Sequence, residues 1–206
     1  MFDYLFQHFD RVWPRLVEHL EISAISLAIA MLIALPLGLL LSRVPKLATP
    51  VLVVLGIIYT VPSFALFVLL IQIPGVDIGA KPAIIALTLY ALVVVVRNTM
   101  VAFNGVDPAV KEAALGMGMS GRQILWRIEI PLALPVIVAG MRIGALSTIG
   151  LTTVAAYVGA GGLGAILQEG INNAPKLYAG VISVAALAIL TDLLFRGLER
   201  TVRVPA

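Results

Sequence analysis

The chain has 206 residues, 61% of them hydrophobic and only 12% charged, with a formal net charge of +3. Soluble domains hold about 45–50% apolar and about 25% charged residues, so one water-soluble core is excluded and an all-α, polytopic membrane protein is expected. There is no cysteine, which removes disulfides, thiol nucleophiles and thiolate metal sites.

The start, Met1-Phe2-Asp3, has no basic n-region and no small-residue cleavage site, so no removable signal peptide is expected. Residues 1–21 mix Phe2, Phe9 and Trp13 with Asp3, Asp10, Arg11, Arg15, Glu18 and Glu21. They are read as an amphipathic segment at the membrane interface. A spanning helix needs ~20 apolar residues to cross ~30 Å. Five stretches meet or approach this: 22–41, 51–73, 82–96 (extendable through Phe103), 132–156 and 178–195. Pro36 and Pro62 lie inside spans and are expected to kink them. The whole chain reads as one transmembrane domain, with its longest polar interruption, 104–131, as a loop.

Basic residues favour the cytoplasmic side. Arg43, Lys46, Arg97, Lys111, Arg122, Arg127, Arg196, Arg200 and Arg203 fall on one side, against Arg11, Arg15, Lys81 and Lys176 on the other. This places the N-terminus outside, the C-terminus inside and the 104–131 loop in the cytoplasm. Within the loop, Asp107-Pro108 starts a helix, because Asp caps and Pro is accepted at the first helical position. Gly116, Gly118 and Gly121 break it. Ser120 then caps a second short helix, 122–128, with Ile124, Leu125 and Ile128 on one face, and Pro131 opens the next span. Such a helix is either a docking knob for a partner or an ordinary amphipathic helix packed on the membrane surface.

The motif Glu112-Ala113-Ala114, three residues, Gly118, nine residues, then Ile128-Glu129-Ile130-Pro131 resembles the signature of binding-protein-dependent ABC importer permeases. Its one departure is Ile130, where leucine is usual. The resemblance implies the type I permease fold, with about five spans and a cytoplasmic coupling helix. It implies that Ala114 to Gly118 form a turn and that Ser120 to Trp126 insert into a cleft of a cytosolic ATPase. Glu112 would make a polar contact there. ATP and Mg would be used by that ATPase, present in two copies, and no cofactor would be bound by this chain. A second permease copy or a homologue would complete the pathway. An extracytoplasmic binding protein would deliver solute, on a separate polypeptide because the chain ends at Ala206. No nucleic acid is implied.

The run Gly159-Ala160-Gly161-Gly162-Leu163-Gly164 lacks a Gly-Lys-Ser/Thr ending, so it is not a nucleotide site. It is either a bend at the external mouth, forming part of a gate, or a plain turn. Together with Val96-Arg97-Asn98-Thr99 and Gly105-Val106-Asp107-Pro108-Ala109 it is similar to permeases for osmoprotectants such as glycine betaine, choline and carnitine. Methionine permeases share the glycine run and the loop, so an amino-acid cargo stays open. Aromatic residues recognise quaternary ammonium groups. Tyr59, Phe64, Tyr90 and Tyr157 either line the pathway or pack and anchor the spans.

Arg142 falls ~16 Å into the fourth stretch, near mid-bilayer. A charge there is costly, so it either faces the pathway or is held by a structural pairing. Asp192 and Arg196, four apart, can pair on one helix. A secondary transporter would need intramembrane acids or inverted repeats, yet the stretches are nearly free of acids and no repeat appears. An intramembrane enzyme would need a reactive cluster, yet the only histidines, His8 and His19, precede the first stretch. No catalytic or metal-binding residue is therefore assigned.

Overall fold

The computed structural model describes residues 8–202. Residues 1–7 of the expected interfacial segment, and Arg203 of the basic set, lie outside the described residues. The elements in order are α1 (Phe9–Arg43), α2 (Pro45–Thr60), α3 (Ser63–Ile71), α4 (Ala80–Asn104), α5 (Pro108–Gly116), α6 (Gly121–Ile124), a π turn (Leu125–Glu129), α7 (Ile130–Ala155), a 3-10 turn (Ala156–Val158), α8 (Leu163–Glu169) and α9 (Ala174–Val202). Among the described residues, four helices are long and apolar enough to cross a membrane, or five if α2 and α3 count as one bent span.

Two elements differ from the sequence reading. The expected interfacial segment and first span are one 35-residue helix, with no break at Ile22. At 1.5 Å per residue it is ~52 Å long, so it projects well beyond a ~30 Å hydrocarbon layer. Val12 and Leu16 keep it upright by packing on Leu163, Ile166 and Leu187. Its outer face carries Phe9 and Trp13, stacked with ring centroids 5.9 Å apart. Conversely, the expected single stretch 51–73 is broken: α2 and α3 meet at 93°. Pro62 supplies no N–H and pushes its predecessor out of the helical region. Val61 accordingly lies at φ −66°, ψ 127°. Pro14 and Pro36 lie within α1 without ending it.

α1, α4 and α7 form the centre of the bundle. Ala30, Ala34 and Leu41 of α1 pack on Ala91, Val95 and Val96 of α4, and Ala102 and Phe103 of α4 pack on Ala133 and Ile137 of α7. Small residues permit this closeness. A Cβ on Gly140 would stand 2.3 Å from Asn98 Cβ, so α4 and α7 touch at bare backbone there. A buried hydrogen bond between Ser23 Oγ and Thr152 Oγ1, at 2.9 Å, helps to link α1 to α7. Outward faces are apolar and exposed, with Leu32 at 76%, Leu194 at 70% and Leu190 at 64%. That inversion of the soluble pattern is the mark of a lipid-facing surface.

Candidate functional site

At one end of the bundle the chain from Gly105 to Glu129 leaves the spans and returns. Asp107 Oδ1 accepts from Ala109 N–H at 2.8 Å and Pro108 opens α5. The helix ends where Gly118 takes φ +80°, a left-handed conformation natural to glycine. Ser120 and Gln123 then form a reciprocal capping box that starts α6. Of the residues expected to couple, Glu112, Ala113, Gly118 and Ser120 are exposed, Ala114 and Ile124 are buried, and Leu125, Ile128 and Pro131 are half-buried. The inward face keeps Ile124, Leu125 and Ile128, as the sequence pattern indicates. Outward, Leu115 is 59%, Met117 74% and Trp126 63% exposed. An aromatic and two large aliphatic side chains standing free around a glycine turn are the material of a protein contact.

α6 does not stop before the span. It passes through the π turn, where Ile130 N–H bonds Leu125 O, into α7. Pro131 explains the wider turn. Its ring would clash with the carbonyl four residues back in a regular helix, and a π turn relieves this. Within that turn lies a group that the motif left unspecified. Glu129, only 2% exposed, forms ion pairs with Arg43 at the end of α1 and with Lys111 Nζ of α5 at 3.3 Å. One buried carboxylate thus ties the loop helix α5 and the span α7 to the end of α1. The motif gave a clue only in placing an acid beside an apolar run.

At the opposite end, the glycine run turns the chain from α7 into α8. Gly159, Gly161 and Gly162 all have positive φ. Gly164 is buried, and a Cβ there would stand 2.1 Å from Thr153 O. α1 holds this turn through Glu18 and His19. Glu18 Oε2 accepts from Gly162 N–H at 2.8 Å, and His19 Nδ1 accepts from Leu163 N–H at 3.3 Å. His19 is fully buried, and its other ring nitrogen, Nε2, meets Ile149 O at 3.1 Å. Two N–H groups at the start of α8 that would otherwise be unsatisfied are capped from a distant helix. Beyond α8, Lys176 pairs with Glu169 and holds its carboxyl below the usual range.

The four aromatics gather around the α2–α3 bend in two edge-on pairs. Tyr59 and Tyr90 have centroids 5.8 Å apart, and Phe64 and Tyr157 6.5 Å apart. The Tyr90 hydroxyl donates to Val61 O, the carbonyl freed by the break. Arg142 lies between α7 and α9, with Nε 3.3 Å from Glu199 Oε1 and Nη1 3.8 Å from Asp192 Oδ1. Both its partners are on α9. Asp192 also accepts from Arg196 Nε at 2.6 Å.

Together these features describe a membrane bundle that displays an apolar loop at one end and a glycine-hinged turn at the other. Residues 23–204 match the family described as "Binding-protein-dependent transport system inner membrane component", and the chain belongs to that family. It is therefore a multi-pass inner-membrane permease component. It is 42% identical over 187 residues to the osmoprotectant import permease protein OsmW of Salmonella typhimurium, covering 88% of this chain and 87% of that one. It is 39% identical over 184 residues to the carnitine transport permease protein OpuCB of Listeria monocytogenes, covering 88% and 84%. The fold matches an inward-facing structure of the MetNI methionine ABC transporter with a TM-score of 0.86 and 26% identity, covering 96% of this chain and 99% of that one.

Proposed function

We propose that this chain forms the translocation pathway of an ATP-driven importer for osmoprotectants such as glycine betaine, carnitine or choline. The observation that carries the coupling role is the displayed loop. Leu115, Met117 and Trp126 stand exposed around Gly118, and the helix behind them continues without a stop into α7. A cytosolic ATPase, in two copies, would seat Ser120 to Trp126 in a cleft and contact Glu112 and the turn at Ala113, Ala114 and Gly118. Ile124, Leu125, Ile128 and Pro131 would pass the displacement to α7. ATP and Mg would act in that partner. The loop end would face the cytoplasm, with the N-terminus outside.

A second copy or a homologue would complete the pathway, because α1, α4 and α7 pack closely on one another through the centre of this bundle. Tyr59, Tyr90 and Tyr157 at the bend, Gly159, Gly161, Gly162 and Gly164 at the opposite end, and Arg142 between α7 and α9 would shape or brace that pathway. A binding protein would deliver solute to the glycine-hinged end. Closure of the ATPase dimer would draw two loops together and open the far end.

The osmoprotectant reading rests on the names of the similar permeases; the methionine alternative is less supported and rests on a fold match at 26% identity to a methionine transporter. Uptake of labelled glycine betaine, choline and methionine by the assembled importer separates them, and uptake of methionine alone would overturn the first. Gly118→Glu should abolish co-purification of the ATPase while membrane insertion persists. Retained co-purification would refute the docking role.

A further inference from the structure

Among the described residues several basic side chains near helix ends lack an acid partner, Lys46, Lys81 and Arg200 among them, whereas Arg97 lacks one well inside its helix. Arg97 lies two turns, ~10 Å, before the end of α4. It is exposed, and among the described residues no acid pairs with it, whereas Arg15, Arg43, Lys111, Arg142, Lys176 and Arg196 all have carboxylate partners. An unpaired charge at membrane depth is costly and marks a water-filled path or a missing anion.

Arg97 opens into a cavity of about 880 Å³ between α2 and α4, whose polar lining is Thr49, Tyr59, Thr60, Arg97 and Asn98. Gly56 of α2 faces it, at a distance where a Cβ would sit in ordinary contact, 3.5 Å from the guanidinium Nη2. Tyr59, 48% exposed, stands three residues further along the same face of α2, ~4.5 Å along the axis. Lipid-facing surfaces of this chain look different: Leu32, Leu190 and Leu194 present only hydrocarbon. A mainly apolar groove that also carries hydroxyls, an amide and a guanidinium instead describes a solute site.

We propose that this groove is a binding site for a zwitterionic quaternary amine, in which Arg97 takes the carboxylate and the Tyr59 ring takes the methylated ammonium. The positive charge of Arg97 attracts a carboxylate, and an aromatic face attracts a quaternary cation. The groove would therefore separate carboxylated solutes from choline, which has the cation and no carboxylate. This rests on the osmoprotectant reading above.

The test uses the complete importer in proteoliposomes, with labelled glycine betaine and labelled choline as probes. Arg97→Gln should lower glycine betaine uptake at least tenfold, and Arg97→Lys should stay within threefold of the wild type. Choline uptake, where the wild type shows it, should stay within threefold in both variants. Glycine betaine uptake in Arg97→Gln within threefold of the wild type overturns the proposal. Equal loss of both solutes does so too, since it describes an anchor to lipid or to a partner subunit. Loss of glycine betaine uptake in both variants also overturns it. A wild type that carries choline alone refutes the carboxylate site and leaves the importer reading standing. A wild type that carries neither solute refutes the importer reading itself.

Discussion

Gly118 separates two reasons for a glycine. Its backbone lies at φ +80°, yet a Cβ there would meet nothing within 4 Å. Conformation, not space within this chain, requires glycine. An L-residue in that region costs ~1–2 kcal/mol, and asparagine suffers least. Gly118→Asn should therefore retain more co-purified ATPase than Gly118→Ala, although it is larger. The reverse order would mean that close approach of the partner, rather than the turn, selects glycine. Glu129 makes a different demand. Replacing it by alanine leaves Arg43 and Lys111 without their shared carboxylate and disconnects the loop from α1. Glu129→Ala should keep the ATPase bound and hydrolysing, while uptake per ATP falls at least fivefold; unchanged stoichiometry would show that α1 takes no part in coupling. In the sequence, Glu129 is only the free position before Ile130-Pro131. Its partner Arg43 is 86 residues away, and no local periodicity reports a contact at that range.

Elements were legible where the pattern was local. The caps at Asp107 and Ser120 followed from residue type and spacing, and the spans from uninterrupted apolar length. The boundaries failed where tertiary contacts override composition. The mixed polarity of residues 9–21 resembles an interfacial helix because three of its five charged residues, Asp10, Arg11 and Glu21, are exposed. The rest of the evidence lies in α8, whose N-terminus Glu18 and His19 cap from 144 residues away. Pro62 announced a kink, but a 93° break needs its freed carbonyl satisfied. Tyr90 does this through its hydroxyl, on a residue 29 positions on. Tyr90→Phe should therefore lower the thermal midpoint of the detergent-solubilised protein, by the ~1–3 kcal/mol that an unpaired buried polar group costs. Tyr59→Phe, which loses no such bond, should leave the midpoint in place; equal midpoints for the two variants would mean that the bend holds without Tyr90.

At the scale of the whole molecule, the two ends are chemically unequal, and the proposed orientation, with the loop in the cytoplasm, rests on that inequality. The loop end gathers Arg43, Lys46, Lys111, Arg122, Arg127, Arg196 and Arg200; the other end has Arg11, Arg15, Lys81 and Lys176. Basic residues near short loops stay on the cytoplasmic side. Pairing spends charge at both ends, on Arg15 and Lys176 at one and on Arg43, Lys111 and Arg196 at the other, and the loop end keeps the larger unpaired share. The absence of cysteine makes the orientation directly measurable, since any introduced thiol is the only one. Met117 is 74% exposed at the loop end and Ile171 60% exposed at the other, so each accepts cysteine without disturbing the core. A membrane-impermeant maleimide added to spheroplasts should label Ile171→Cys and spare Met117→Cys, and inverted vesicles should show the reverse. Labelling of Met117→Cys from outside would put the apolar loop on the side without ATP, and no cytosolic motor could then reach it.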